Sequence, residues 1–237
     1  MAFDLPRERV FQVSDVDVRL AGEPLAFEAA NRDAIAANWQ AELEANPALF
    51  NGRSVLLSSL ALRDGRLVGR CHEIGYSTLL YWLKHRETSA SEHCFAHAML
   101  ISSDGALVAA RMAAHTVNAG KVYFAAGSFE PEDFQDGRAD VDGNMIREVR
   151  EETGLDLSAL QPDPGYLAYS ASIGTAIFRR YRLTERADEI AEQVRSFIAA
   201  EVEPEITEPV IIRDARNLPE GLMGHMRAIV DWHFGLA

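Results

Sequence analysis

The sequence predicts an α/β protein: an α/β sandwich with a mixed sheet over residues 91–237, preceded by an α+β extension over residues 1–90. The chain has 237 residues, which is enough for one elaborated domain or two small ones. Its 48% hydrophobic and 25% charged residues are an ordinary globular mixture. Short β-prone runs alternate with segments in which apolar residues recur at three- and four-residue steps.

The extension contains predicted strands, a long helix and a hairpin. Strands are expected at residues 10–13 and 16–20, and Pro24 then begins a helical pattern that ends at Asn46-Pro47. The apolar face of this helix is formed by Phe27, Ala30, Ile35, Trp39 and Leu43. Asp64-Gly65 separates β-prone runs at 54–63 and 66–73, which indicates a hairpin. A short helix at 77–85 and a polar run at 87–92 follow, and we place the boundary near residue 90.

The second segment begins with closely spaced strands and continues with a charged helix. Strands are predicted at 95–101, 106–111 and 122–126. A helix from about Asp142 to Thr153 should end at Gly154, because glycine adopts a left-handed backbone without strain. Further strands are expected at 166–172, 175–183 and 209–213, and further helices at about 186–200 and 222–234.

The net charge and the cysteine content limit the kinds of binding partner and the cellular compartment to be expected. Asp and Glu outnumber Lys and Arg by 36 to 23, and a net charge of −13 argues against nucleic acid and membrane partners. The two cysteines, Cys71 and Cys94, cannot form a disulfide framework, which favours a reducing compartment. The N-terminal residues lack an apolar stretch of signal-peptide length, and no run approaches the ~18 apolar residues of a membrane span. We therefore predict a cytoplasmic protein.

The segment that predicts chemistry is residues 147–155, Arg-Glu-Val-Arg-Glu-Glu-Thr-Gly-Leu. On a helix Glu148, Glu151 and Glu152 are three and four residues apart, so their carboxylates should share one side. Like charges so placed repel unless a cation neutralises them. Hard oxygen ligands without Cys or His suit Mg²⁺, or alternatively Mn²⁺, better than Zn²⁺. An exposed charged helix with a glycine cap is the alternative interpretation.

These nine residues resemble the second half of the Nudix box, and they match every fixed position of that half. Gly127 fits the opening glycine of the first half, and Asp133 stands where the family has Glu. Thirteen residues rather than seven then separate Asp133 from Arg147, an insertion of six. Asp133, Asp140 and Glu130 are each candidates for the role of the missing Glu. We expect the inserted residues to form a surface excursion that leaves the helix register intact.

The resemblance implies a Nudix-type sandwich and a Mg²⁺-dependent pyrophosphohydrolase that acts on a small-molecule nucleoside diphosphate. Glu148, Glu151, Glu152 and the Gly127 carbonyl would hold the metal, and Arg147 would orient a glutamate. A downstream acid would serve as base or further ligand, and the candidates are Glu201, Glu203, Glu205 and Glu208. The candidate substrate contacts on the strands that flank the box are Arg111, Tyr166 and Arg179.

Substrate identity stays open. Two segments look faintly similar to the UDP-sugar pyrophosphatase branch of the family. They are Gly-Ser-Phe-Glu-Pro at residues 127–131 and Asn-Pro-x-Leu-Phe-Asn-Gly at residues 46–52. Coenzyme A, ADP-ribose and dinucleotide diphosphates are alternatives, as is a non-catalytic Nudix-fold module that senses a ligand. A homodimer would bury the apolar face of the long helix predicted in the extension. A zinc site built from Cys71-His72 and from Cys94 and His97 lacks the usual ligand spacing.

Overall fold

The computed structural model describes residues 2–86 and 90–236, and within them it contains two mixed β-sheets and six α-helices. The predicted α/β class with mixed sheets is confirmed. The strands are β1 (Phe3–Asp4), β2 (Val10–Val13), β3 (Asp15–Ala21), β4 (Arg53–Arg63), β5 (Arg66–Gly75), β6 (Cys94–Ile101), β7 (Leu107–Met112), β8 (Val122–Tyr123), β9 (Phe134–Gln135), β10 (Arg138–Ala139), β11 (Tyr166–Ala171), β12 (Gly174–Arg182) and β13 (Ile206–Ile212). The helices are α1 (Ala26–Ala30), α2 (Arg32–Ala45), α3 (Tyr76–His85), α4 (Val141–Thr153), α5 (Ala187–Ala200) and α6 (Gly224–His233).

Each sheet combines parallel and antiparallel pairs. The first sheet has the order β1-β4-β5-β3-β10-β9, and the predicted hairpin at Asp64-Gly65 is its longest antiparallel pair, β4 with β5. The second has the order β13-β7-β6-β12-β11-β2, with β8 paired to β7. At its centre β6 and β12 run parallel, from Cys94 opposite Thr175 to Ile101 opposite Arg182.

Both sheets receive strands from both halves of the chain. Strand β2 pairs antiparallel with β11 in the second sheet, and β10 pairs antiparallel with β3 in the first. A large buried cluster contains residues of both sheets and of α4, α5 and α6, among them Leu60, Met99, Val149, Phe178 and Ile229. A smaller cluster is formed where α3 packs on β4, and it includes Leu56, Leu79 and Trp82. The division at residue 90 stays a prediction, and residues 87–89 of the proposed boundary run lie outside the described residues.

Two predicted elements differ from those observed. The long helix after Pro24 is divided at Asn31, where the backbone leaves the helical conformation with φ of −115° and ψ of 16°, and where Nδ2 donates to the Phe27 carbonyl at 2.8 Å. The strand predicted at 122–126 stops at Tyr123. The carbonyl of Phe124, the residue after Tyr123, interacts with the His97 side chain of β6 rather than with the backbone of a neighbouring strand. Among the described residues, no helix has both the length and the apolar character needed to cross a membrane.

Candidate functional site

Helix α4 carries the Nudix-like residues, and both of its ends are fixed by specific contacts. Asp140 caps the N-terminus by accepting a hydrogen bond from the Gly143 N–H at 3.0 Å. Gly154 ends the helix in the left-handed conformation, with φ of 72°, as the sequence predicted. A side chain at Gly154 would overlap the Phe197 ring. The register of the glutamates on α4 is therefore set by a cap at each end.

The glutamates of α4 divide into a buried pair and an exposed residue. Glu148 and Glu152 are 9% and 5% exposed. The second oxygen of Glu152, Oε2, is buried without a hydrogen-bond partner. The Glu151 side chain is 59% exposed and pairs with Arg147. We call Glu148 and Glu152 the acid pair.

Gly127 lies directly against the acid pair. A Cβ atom at this position would overlap the carboxylate of Glu148. Any larger residue here would therefore have to displace the Glu148 carboxylate, whereas the backbone angles of Gly127 do not themselves call for glycine. The opening glycine of the resemblance thus has a physical role, which is to let the loop after β8 approach the acid helix.

Burial makes the acid pair reluctant to ionise. It raises the pKa of Glu148 to about 7, an effect that nearby Arg147 opposes and that Glu151 and Asp133 reinforce. Burial and the charge of Glu148 raise the pKa of Glu152 well above its ordinary range. Even with Arg147 nearby, both buried carboxyl groups have raised pKa values, so a further positive charge would favour their ionised forms.

Arg147 links the exposed and buried acids. Its guanidinium contacts the Glu148 carboxylate at 2.8 Å, that of Glu151 at 3.0 Å and that of Asp133 at 3.2 Å. Asp133 also accepts hydrogen bonds from the Asn144 side chain and from the backbone of Glu130, both at 2.9 Å. Arg147 therefore orients the carboxylates, and Asp133 is positioned to orient Arg147.

The three candidates for the missing first acid have different positions. Asp133 contacts Arg147, whereas Asp140 caps α4 and Glu130 is an exposed residue that caps the 3-10 turn Pro131–Asp133. The residues inserted after Asp133 form the β9–β10 hairpin, with an exposed turn at Asp136-Gly137. The expected surface excursion needs correction, because β10 extends the first sheet and Ala139 is buried in the main cluster. The helix register after the insertion is intact.

Among the downstream acids, only Glu205 contributes to the pKa shifts of both Glu148 and Glu152, which places its charge near the acid pair. Glu208 instead pairs with Arg111 at 2.7 Å. Glu201 and Glu203 are exposed. The sequence offered no way to choose among these acids, because the choice depends on the path of the chain before β13.

The predicted substrate contacts on the strands have other partners. Arg111 donates to Glu208 and to the backbone carbonyls of Gly120 and Glu220, at 3.2 and 3.0 Å. Tyr166 and Arg179 both donate to Asp142 in the first turn of α4, at 3.0 and 2.7 Å.

Tyr166 and Arg179 also line a cavity of about 450 Å³, whose walls include none of the box residues. Neither residue is therefore brought to the acid pair. The volume of this cavity does not by itself make it a catalytic site.

A second cavity, of about 300 Å³, adjoins the acid pair through Ala126 and Gly127. Its other walls come from separate parts of the chain and include Tyr76, Leu83, Arg86, Phe95, Tyr123 and His225. We call it the ring cavity because of its aromatic walls. Sequence reasoning missed these residues, because they come together only through the packing of α3, β6, the β8 region and the start of α6.

The histidines of the ring cavity are neutral. Burial lowers the pKa values of His93 and His225 to about 4, and burial together with His225 lowers the pKa of His97 well below its ordinary value. His97 and His225 are hydrogen-bonded to each other through their Nε2 atoms at 3.0 Å. Over residues 2–86 and 90–236, no three His, Cys, Asp or Glu side chains converge as a ready-made metal cage, for zinc or for any other ion.

Comparison with known proteins gives a likeness in fold only. No family model and no curated protein matches the chain. The MutT protein from Methanosarcina mazei Go1 is 17% identical, with a TM-score of 0.40 over 60% of this chain and 91% of that one. A Nudix hydrolase from Nitrosomonas europaea is 16% identical, with a TM-score of 0.35 over 61% and 90%. An Ap4A hydrolase from C. elegans is 12% identical, with a TM-score of 0.35 over 50% and 78%.

Proposed function

We propose that the protein is a Nudix-type pyrophosphohydrolase that uses Mg²⁺, or alternatively Mn²⁺, to cleave a nucleoside diphosphate linked to another moiety. The observation that carries this proposal is the acid pair: two buried carboxyl groups beside Gly127, one with an oxygen that has no partner. Such an arrangement is unfavourable in an empty protein interior and becomes favourable when a hard cation binds.

The donor set fits a hard divalent cation. Glu148 and Glu152 would hold it, with Glu151 and the Gly127 carbonyl as further oxygen donors. A bound cation of this kind neutralises pyrophosphate oxygens and lowers the pKa of water. The raised pKa values of Glu148 and Glu152 imply that cation binding releases protons, so binding should strengthen as the pH rises.

The remaining residues of the site orient these carboxylates and receive a proton. Arg147 holds the carboxylates of Glu148 and Glu151 while Asp133 holds Arg147, so that the orientation does not depend on substrate. Glu205 is exposed and its charge is felt at the acid pair. We assign to Glu205 the role of accepting the proton of the attacking water.

For the substrate we propose a UDP-sugar, cleaved to UMP and a sugar 1-phosphate. The support is the resemblance of residues 127–131 to the UDP-sugar branch and the contribution of α3 to the ring cavity. With a net charge of −13, the protein gains little general attraction for a diphosphate, so selectivity must come from groups on either side of it.

The deciding experiment offers UDP-glucose, ADP-ribose and coenzyme A with Mg²⁺, with Mn²⁺ and with EDTA, and identifies the products. Glu152→Gln should lower metal-dependent turnover on the order of a thousandfold, equivalent to ~4 kcal/mol of transition-state stabilisation. Glu192→Gln, at an exposed glutamate of α5, is the matched control.

Turnover that persists in EDTA or in Glu152→Gln would reject the proposed metal site. Binding without turnover of any substrate would instead favour a ligand-sensing module. Release of AMP from ADP-ribose or of 3′,5′-ADP from coenzyme A would change the substrate branch alone.

A further inference from the structure

The ring cavity has the walls of a site for a flat aromatic group. Phe95 is half-buried on β6 and is one of the aromatic residues that line the ring cavity. Behind it, His93 stacks on the Phe95 ring with a centroid distance of 5.1 Å and an interplanar angle of 26°. His97 and His225 meet it edge-on at 5.2 and 5.4 Å. These buried imidazoles hold the orientation of the ring.

The deep wall of the ring cavity carries no positive charge, because hydrogen-bond geometry makes His97 neutral and burial lowers the pKa values of His93 and His225 to about 4. The Nε2 atoms of His97 and His225 are 3.0 Å apart, so one of them must be an unprotonated acceptor. The Nδ1–H of His97 can donate to the Phe124 carbonyl at 3.2 Å, which assigns the acceptor to His97 Nε2 and the donor to His225 Nε2. A phosphate would find no counter-charge on this wall, whereas an uncharged heterocycle is compatible with it.

Charge is supplied at the edges of the cavity instead. Among the described residues that line it, Arg86 is the only one with a full charge. Arg86 follows α3 in the left-handed conformation, with φ of 50°, and its N–H donates to the Trp82 carbonyl at 2.6 Å. At the other edge lie Ala126 and Gly127, beside the acid pair. The cavity thus joins an aromatic interior to both a guanidinium and the proposed cation site.

We propose that the ring cavity binds the nucleobase of the substrate by stacking on Phe95, and that Arg86 adds electrostatic attraction for the phosphate that follows. The inference rests on the proposed function, since it places the base beside the acid pair that would act on the diphosphate. Stacking on an aromatic side chain tolerates different bases. The site should therefore require an aromatic base but discriminate little between one base and another. A pyranose could occupy the same volume, and the experiment separates the two.

Binding of hydrolysis products tests the cavity without any catalysis. We expect UMP and AMP to bind in isothermal titration calorimetry, and ribose 5-phosphate and glucose 1-phosphate to bind at least about tenfold more weakly. Phe95→Leu keeps apolar volume and removes the ring, and it should weaken nucleotide binding about 5- to 150-fold. Phe11→Leu is the matched control, because Phe11 is a half-buried strand residue that does not line the cavity.

Arg86→Gln gives an independent readout, because an exposed residue can be changed without loss of folding. It should weaken UMP binding several-fold at low salt and much less at about 1 M salt, where a surface charge is screened. The cavity assignment is wrong if ribose 5-phosphate or glucose 1-phosphate binds as tightly as UMP, or if Phe95→Leu and Phe11→Leu bind UMP alike. Nucleotide binding as expected, with no cleavage of any diphosphate, would reject the proposed function and leave the cavity assignment standing.

Discussion

Replacement of Arg7 should test how firmly the N-terminal residues are fixed to the second sheet. Glu92 is completely buried, and its carboxylate is paired with the Arg7 guanidinium. Arg7 also donates to the Ser170 hydroxyl of β11 at 2.8 Å. The backbone of Glu92 is bonded in both directions to Leu57 of β4, at 2.9 and 3.1 Å. One ion pair thus connects the N-terminal residues with both sheets.

Arg7→Leu leaves a buried carboxylate without its counter-charge. Removal of one partner from a buried ion pair costs roughly 3 to 5 kcal/mol. We expect the lower value, about 3 kcal/mol, because the Arg7 side chain is 37% exposed and water can partly replace it. Burial already raises the pKa of Glu92 against the influence of Arg7, so the variant should carry a protonated Glu92 over a wider pH range.

The assay is thermal and urea unfolding at pH 7. A loss of about 3 kcal/mol corresponds to a fall in Tm of roughly 6 to 12 °C for a chain of this size. Arg63→Leu breaks an exposed pair with Asp4, in which both side chains are more than half exposed, and should cost below about 1 kcal/mol. Combining Arg7→Leu with Glu92→Gln should recover part of the loss. Equal effects of Arg7→Leu and Arg63→Leu, or no recovery in the double variant, would refute the reasoning.

Three further predictions concern the site. Gly127→Ala should lower turnover on the order of 10²-fold by displacing the Glu148 carboxylate, whereas Gly22→Ala, with open space around it, should match the wild type in steady-state kinetics. Mg²⁺ or Mn²⁺ at a hundredfold excess over Kd should raise the free energy of unfolding of the wild type by about 2.7 kcal/mol, and should raise its Tm accordingly. Neither quantity should rise in Glu152→Gln, whose metal-free Tm should equal or exceed that of the wild type; a metal-induced shift in the variant would contradict this. His93 has a folded pKa of about 4 against an ordinary 6.5, so the stability it contributes is complete above pH 6.5 and is lost as the pH falls through about 4. At about 1.4 kcal/mol per pKa unit this amounts to about 3 kcal/mol, and chemical unfolding between pH 7 and 4 should show a shallower decline in His93→Gln; parallel curves would exclude His93 as the source.

The local part of the site could be predicted from sequence because its signals are local. Apolar periodicity and the stop at Gly154 predicted α4, and the helix begins and ends within a residue of the prediction. The same helix places Arg147 beside Glu148 and Glu151. The sequence could not predict which glutamates are buried, since burial depends on the loop at Gly127. Periodicity predicted one face for all three glutamates, but packing buries the acid pair and leaves Glu151 in solvent.

The rest depends on contacts between distant residues. No property of the 134–139 segment in isolation indicates that β10 will pair with β3, a contact made across more than a hundred residues of chain. The break at Asn31 is a change of backbone conformation within an otherwise continuous apolar pattern, and that pattern gives no signal of it. The ring cavity takes Phe95 from β6 and Arg86 from the end of α3, and neither residue lies in a recognisable motif.

The arrangement of the strands connects stability with the proposed chemistry. The acid pair is on α4, but the cavity beside it is closed by α3, which belongs to the N-terminal part of the chain. The position of α3 relative to α4 depends on the first sheet, and β2 and the Arg7–Glu92 pair connect that part of the chain to the second sheet. Loss of this connection should therefore widen the ring cavity before it disturbs the acid pair, which is held within one helix by its caps and by Arg147. Arg7→Leu at a temperature below its Tm should accordingly raise KM for a nucleotide substrate more than it lowers kcat, and the opposite pattern would show that the acid pair depends directly on the N-terminal residues.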